Sequence, residues 1–544
     1  MDMRNRVAAF LMLGLLAPLV TFMFAVPTEA SSETPAGVAP TGSTRVTTTS
    51  GRIAPEPASA LRAPAASAAQ REAAAAAVSA QRERLAGEAS KSSDSSAPAV
   101  AARPAVAVGP ETQVDTQSET AQVTWNQQNT TASSVGSTLA EPAASNDGKN
   151  VFYSGNTYFS RSTNGGAGGW VQEGIPGGPA DATVACCDPD AVYSPATDTT
   201  FNIMLYTNAT QTNGVVRIWV RNGDLHSADC IYDIDPGGAA DNLLPDYPHL
   251  AVSNGFLYLS SNNIVGGNWT GAQMRRFNIT QMSACGSTSF NTFSYTGSVG
   301  QRIHTPVEGA TTDMYWGQMD STTTFRLFSW PESSASVTQT TQTVGASAFN
   351  NPDCRGGTGN FDFIERSTAW SIAGFRMRGA TGGGRVTFLW PSSPVGSQTQ
   401  AHLRGVSLNT SGFGVLEQPV VWNNGICISY PALSSNAFAD LGLSLAAGGI
   451  AGGSGSAAQG YIAVDDSGSP GSIFFPSLVL TASGTHNRSD SRFGDYFTVR
   501  KNSRCTNSWV ATNYALDGGT ATSNVNARYI EFQTTDDGTC PSPK

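Results

Sequence analysis

From about Glu111 to the C-terminus, apolar positions fall in short runs rich in aromatic and β-branched side chains, cut by Gly, Asn, Asp and Ser. No helical period runs through them, so the pattern predicts strands of about five to seven residues joined by turns. One arrangement recurs: a residue, often acidic or aromatic, then Pro, then a short run leading into a turn and a second strand. The copies are EPAASNDGKNVFYSGN from Glu141, DPDAVYSPATDTTFNIMLY from Asp188, YPHLAVSNGFLYLSSN from Tyr247, TPVEGATTDMYWGQM from Thr305, YPALSSNAFADLGLSLAA from Tyr430 and FPSLVLTAS from Phe475. GDYFTVRKNSRCTNSWVATNYA, from Gly494, has the same two-strand shape without the proline.

Proline is tolerated at the first residue of a strand, where no ladder donor is needed, so its recurrence marks equivalent starting points. Further strands follow the copies, such as VVRIWVRN (215–222), TFRLFSW (324–330) and GRVTFLW (384–390), which are expected to be outer ones. Four short antiparallel strands per unit, at roughly 45 to 70 residues each, is the pattern of a propeller blade. The expectation is an all-β fold, a β-propeller of seven blades over residues 111–544, with six as the alternative. A sandwich would supply the strands but not the repeated proline-led starts.

The N-terminus differs. Arg4 and Arg6 precede an apolar stretch from Val7 to Val26 and a small-residue site at Thr28-Glu29-Ala30, which reads as a secretory signal cut after Ala30. At about 20 residues the stretch also suits a retained anchor, although Pro18 interrupts it. Residues 31–110 are dominated by Ala, Pro, Ser and Thr and are expected to form a disordered spacer, with a fluctuating helix over Ala65 to Ser90. The mature protein is therefore expected to be secreted or at the cell surface, with a possible N-terminal membrane tether.

Composition agrees with export. Charged residues make up only 13% and Gly numbers 57, the balance of a turn-rich extracellular β-protein. A net charge of -10 leaves no basic excess to neutralise phosphates, so nucleic acid is excluded as a general partner. All eight cysteines lie beyond residue 180, and an even number in an exported chain points to disulfides. Cys230 with Cys285 and Cys505 with Cys540 are plausible near pairs. Cys186 and Cys187 are expected to face opposite sides of a strand and pair elsewhere rather than with each other.

The stretch YFSRSTNGGAGGW, with Ser162, Asn164, Gly166 and Trp170, resembles the Asp-box (BNR repeat) of sialidase-like propellers, with Asn in place of Asp and one extra residue before the Trp. YPALSSNAFADLGLSLAAGG, FPSLV, SRFGDYFTV and CTNSWVATNYA also resemble a group of exported bacterial propeller proteins. The resemblance implies the fold. It does not carry over the sialidase catalytic set, because the Phe/Tyr-Arg-Ile-Pro motif that introduces the first sialidase arginine is missing.

A propeller's inner strands face one channel, so polar residues at the blade starts converge there. Asp246, Tyr247, His249, His304 and Asp495 are the candidate catalytic residues, with Arg355, Arg492, Asp353, Glu308 and Tyr430 as candidates for substrate binding. A carboxylate opposite a Tyr or Glu, with arginine to hold an acidic sugar, suits glycoside hydrolysis; His249 or His304 with Tyr247 suits a polysaccharide lyase. The expected partner is extracellular polysaccharide or a glycoconjugate. The alternative is a non-catalytic surface adhesion propeller recognising a polymer or protein. No cofactor is expected beyond a possible structural calcium at Asp188, Asp190 or Asp495, for which no calcium-loop spacing exists.

Overall fold

A computed structural model describes residues 26–27, 42–57, 60 and 121–540, with breaks at 224–227, 236–241, 297–304, 350–351, 365–375, 454, 466–472, 474, 520, 522–523 and 536–539. The remaining N-terminal positions, including most of the signal segment and the expected helix over 65–90, lie outside the described residues. Within them the chain is all-β. Among the described residues the helices are two short turns, α1 (Thr130–Val135) and α2 (Ile279–Ser283), capped by Asn129 and Asn278.

Among the described residues, seven antiparallel sheets of four or five strands follow one another, with one small three-stranded sheet besides. The first runs from Ala143–Asn146 to Val171–Glu173 and the second from Val184–Ser194 to Cys230–Ile234. The third comprises Leu243–Val252, Phe256–Val265, Asn268–Asn278 and Thr288–Tyr295. The fourth holds Asp313–Met319, Thr324–Pro331 and Ser336–Thr343, and the fifth starts at Arg378–Gly382. Cys427–Ser435 opens the sixth and Val499–Lys501 the seventh.

Apolar layers sit between consecutive sheets. Phe159 and Trp219 pack first against second, Leu205 and Leu250 second against third, and Trp316 and Phe388 belong to a layer joining third, fourth and fifth. Leu389 and Leu443 join fifth and sixth; Trp509, Ile462 and Tyr153 share one layer of sixth, seventh and first. The last layer closes a ring, which is the packing of propeller blades.

Ring closure uses a strand from far upstream. Ala121–Gln128 pairs with Val525–Thr534 as the outermost strand of the seventh sheet, so the two ends of the folded region share one ladder. Farther upstream, within the stretch expected to be a disordered spacer, Gly42–Thr47 pairs with Ser336–Thr343 of the fourth sheet and Thr49–Ile53 with Thr288–Tyr295 of the third. Outer strands present unpaired N–H and C=O groups whatever their side chains, so a polar segment can add to them. Val46 and Ile53 supply the apolar contact that composition alone underrated.

Pro142 stands directly before Ala143–Asn146, as expected, but three other prolines do not sit at strand starts. Asp188-Pro189, Tyr247-Pro248 and Tyr430-Pro431 lie in the middle of the innermost strands, where the register slips between Asp190 and Cys187, Asp246 and His249, and Ser429 and Ala432. Each pair is a bulge that leaves the ladder, which suits a residue with no N–H. The residue before the proline is left-handed in every case, with φ of 59° at Asp188, 55° at Tyr247 and 56° at Tyr430; Glu141, before Pro142, has 44°.

Two further assignments change. Phe475-Pro476 does not start a unit: it leads into Ser477–Ala482, an outer strand of the sixth sheet. The fifth sheet instead starts at Arg376-Met377-Arg378, which has the left-handed residue (Arg376, φ 73°) but no proline. Arg385–Ser392 is then second from the inside rather than an outer strand, and Thr324–Pro331 holds the same second place in the fourth sheet.

All eight cysteines are paired: Cys230–Cys285, Cys354–Cys427, Cys505–Cys540 and, against expectation, Cys186–Cys187. Strand alternation predicts opposite faces for neighbours, but Leu205 opposes Cys187 while Tyr206 opposes Ala185. Cys186 is thus a bulge residue, and the broken alternation lets the two sulfurs meet.

Candidate functional site

The bulges explain which side chains reach the channel. A left-handed residue stands two positions before a cavity residue in three inner strands: Asp188 before Asp190, Tyr247 before His249, and Arg376 before Arg378. Those three second positions come from the second, third and fifth sheets. Thr305 and Glu308 join them from the fourth, where a short segment crosses to the fifth: Glu308 N–H donates to Gly379 O (3.0 Å) and Thr381 N–H to Glu308 O (2.8 Å). Arg500 comes from the seventh. Asp190, His249, Thr305, Glu308, Arg378 and Arg500 line one cavity of about 10 Å³, the space of a single water.

Inside it, Arg500 bridges two carboxylates. Its Nη2 donates to Asp190 Oδ1 at 2.6 Å, its Nη1 to Glu308 Oε1, and its Nε to Ala191 O at 3.0 Å. Asp190 Oδ2 accepts from Leu250 N–H (2.9 Å) and faces His249 Nδ1 at 3.4 Å. Arg378 Nη1 stands 3.0 Å from both nitrogens of His249 and donates to Thr305 Oγ1 at 2.6 Å. Tyr247 and Tyr496 wall the imidazole, with ring centroids 4.4 and 4.5 Å away.

These contacts split the titrations. Burial opposes ionisation of Asp190, but Arg500, His249 and the Leu250 N–H outweigh it and hold the carboxyl down to about 2. Burial pushes Glu308 up to about 7 against the pull of Arg500, with Asp190 adding to the rise. Burial and the Arg378 charge push His249 down to about 3, so it is neutral at pH 7.

A second layer lies at the left-handed positions. Arg376 pairs with Asp495, and its guanidinium lies 5.6 Å from the Tyr247 ring and 6.0 Å from that of Tyr430. Asp188 Oδ2 accepts from Tyr247 N–H (3.1 Å), and Glu141 Oε1 accepts from Asp495 N–H (2.8 Å). The second contact requires Gly494: at φ 100° it also lies where a Cβ would press on Glu141 Cγ at 2.7 Å.

The candidates named from sequence therefore part company. Of the proposed catalytic residues, His249 lies on the cavity, Tyr247 packs against its ring, and Asp495 belongs to the layer of Arg376. Asp246 is buried beside the bulge, opposite Asn262 in the ladder, and does not line the cavity. His304 lies outside the described residues. Among the proposed binding residues, Glu308 lines the cavity and Tyr430 is buried beneath Arg376. Arg355 and Asp353 are 41% and 48% exposed and pair with each other at 2.7 Å, beside the small three-stranded sheet. Arg492 is half-buried, its N–H donating to Asp490. Sequence reasoning missed Arg376, Arg378 and Arg500; for the first two the available signal was alternate-residue spacing at a blade start that lacks its proline. Among the described residues no three His, Cys, Asp or Glu side chains come together to hold a metal ion, so Asp188, Asp190 and Asp495 do not form a calcium cluster.

The Asp-box-like stretch folds as the turn between the last two strands of the first sheet. Ser162 Oγ lies 2.5 Å from Asn164 Oδ1 and 2.8 Å from Gly168 O, and accepts from Gly166 N–H. Trp170 packs on Tyr153 and Tyr529. It is a packing turn on the blade, remote in role from the cavity.

No known family profile matches the sequence, and no curated protein does. Among solved structures, the chain is similar to a mutant of Trypanosoma rangeli sialidase displaying trans-sialidase activity, at 9% identity and a TM-score of 0.32, covering 67% of this chain and 55% of that one. It thus spans just over half the length of that sialidase. It is also similar to an endo-arabinanase from Bacillus licheniformis (10% identity, TM-score 0.27, 63% of this chain and 92% of that one). A protein of unknown function from Dyadobacter fermentans matches at 10% identity and a TM-score of 0.35, over 76% of this chain and 99% of the other.

Proposed function

We propose that the chain is an exported seven-bladed propeller that takes extracellular glycan at the mouth of its channel and cleaves it by carboxylate acid–base chemistry. The observation that carries this reading is the split pair on one cavity: Asp190 held ionised near 2 and Glu308 held protonated up to about 7. Two carboxyls whose surroundings separate their acidities suit the general acid and the charged partner of glycoside hydrolysis. Glu308 is the acid and Asp190 the carboxylate; Arg500 fixes both, and Arg378 fixes His249. A lyase using His249 as base has less support, because burial and Arg378 hold its acidity down to about 3, which makes the imidazole a weak base, and Arg378 stands against both ring nitrogens. The four disulfides suit a secreted or surface location.

One observation favours a second reading, a binding propeller without turnover: the cavity of about 10 Å³ admits no sugar ring unless the mouth rearranges. The full chain assayed on polysaccharides and chromogenic glycosides, beside Glu308→Gln, separates the two. Hydrolysis that falls at least about 100-fold in the variant supports the acid role. Binding without turnover in both proteins would leave the adhesion reading in its place.

A further inference from the structure

A second concave site lies between the third and fourth sheets and shares no residue with the channel cavity. Antiparallel order puts the turn after Leu243–Val252 and the turn after Thr324–Pro331 side by side, and Glu332 ties them: its Oε1 accepts from Ser253 Oγ (2.5 Å) and from Gly255 N–H (2.7 Å). The groove they form is about 590 Å³, lined by Phe256, Thr312, Asp313, Pro331, Glu332 and Ser333. That volume lies within the range of ligand sites.

Its walls are fixed before any ligand arrives. The Arg276 guanidinium is stacked 4.5 Å from the Phe256 ring and 4.4 Å from that of Trp330, and donates to Pro331 O (2.9 Å) and Ser334 O (2.7 Å). The aromatic platform and the turn that carries Glu332 are therefore held by one cation. Asp313 sits opposite Pro331 in the ladder, and its Oδ2 accepts from Thr312 Oγ1 at 2.9 Å.

The charges select the ligand class. Two carboxylates on the wall repel an anion. Arg276 already occupies the cation-binding aromatic surface of Phe256, and its charge opposes a second cation there. What remains favourable is a neutral polyol: hydroxyls donating to carboxylate oxygens, with an apolar C–H face against Phe256 and Pro331. We propose that this groove is a neutral-glycan binding site, separate from the channel, by which the propeller holds a polymer.

Calorimetric titration of the full chain with cellohexaose, xylohexaose and maltohexaose tests it, with a glucosamine hexamer and hexagalacturonate as charged comparisons. The expected result is binding of at least one neutral hexaose with Kd below about 1 mM, weakened about tenfold by Asp313→Asn and by Phe256→Leu and unchanged by Glu308→Gln. Unaltered thermal unfolding of Asp313→Asn keeps that loss local. The proposal is overturned if no neutral hexaose binds, if a charged hexamer binds more tightly, or if Glu308→Gln abolishes binding while Asp313→Asn leaves it intact. Failure of the channel reading would show instead as absent turnover, with groove binding preserved.

Discussion

Glu308 and Glu531 share one electrostatic description and differ in everything around it. Burial pushes each carboxyl up to about 7 against the pull of an arginine, Arg500 for the first and Arg504 for the second. Glu531 lies on Val525–Thr534, and its partners Arg504 and Asn502 belong to the same sheet's hairpin. Glu308 meets groups from the second, fifth and seventh sheets and borders the cavity. A perturbed acidity therefore does not by itself mark a site, since a structural ion pair produces the same shift. What separates the two glutamates is convergence: one is served by its own sheet, the other by three different ones.

The largest expected effect breaks the pair apart on activity. Glu308→Gln should lower the turnover of any glycoside substrate by at least about 100-fold, whereas Glu531→Gln should change it by no more than about twofold. Steady-state rates of the two variants on one chromogenic substrate decide it. Equal losses would mean that convergence on the cavity carries no chemistry.

The contrast also marks how far the sequence could be read. Strand periodicity and the proline-led repeat announced a propeller because both are local: a residue without an N–H suits a bulge, and proline is visible. Where the fifth sheet starts at Arg376-Met377-Arg378, the left-handed backbone device recurs without a proline, so the signal is gone, and both arginines went unnoticed. Phe475-Pro476 shows the converse, the visible signal without the device. Glu308 was named, yet nothing near it in sequence distinguishes it from Glu531; its difference arises from Arg500, Asp190 and Arg378, each more than sixty positions away. Cys186–Cys187 was misjudged for a related reason, since strand alternation holds only where the ladder is unbroken.

Arginine removal should show the next largest difference. Arg500→Met takes the shared partner from two carboxylates and should cost about 3–5 kcal/mol of unfolding free energy, because Asp190 stays charged and buried. Arg504→Met abandons only Glu531, which escapes by taking up a proton, and should cost about 1–3 kcal/mol. Urea unfolding at pH 7 measures both. A larger loss for Arg504→Met would reverse the ranking and remove the special place given to the Arg500 bridge.

The pH dependence of stability gives the smallest and most diagnostic effect. Glu308 and Glu531 each titrate near 4.5 in the unfolded chain and near 7 when folded, so the folded state binds more protons between those values. Their contribution is fully present below pH 4.5 and is lost as pH rises through about 7, at a slope of at most about 1.4 kcal/mol per pH unit per group. Asp190 acts in the opposite sense: its contribution is present above its unfolded value of 3.8 and is lost as pH falls through about 2. Either glutamine variant should therefore remove one glutamate's share of that loss, which His249 and His402 oppose, since their folded values of about 3 and about 4 lie below the ordinary 6.5 and make stability rise with pH up to there. The stability curves of the two variants should then coincide in slope, while in the wild-type protein kcat falls above about pH 7 as Glu308 loses its proton. If Glu531→Gln moved that kinetic limb, the titration seen in activity would belong to fold integrity and not to the channel acid.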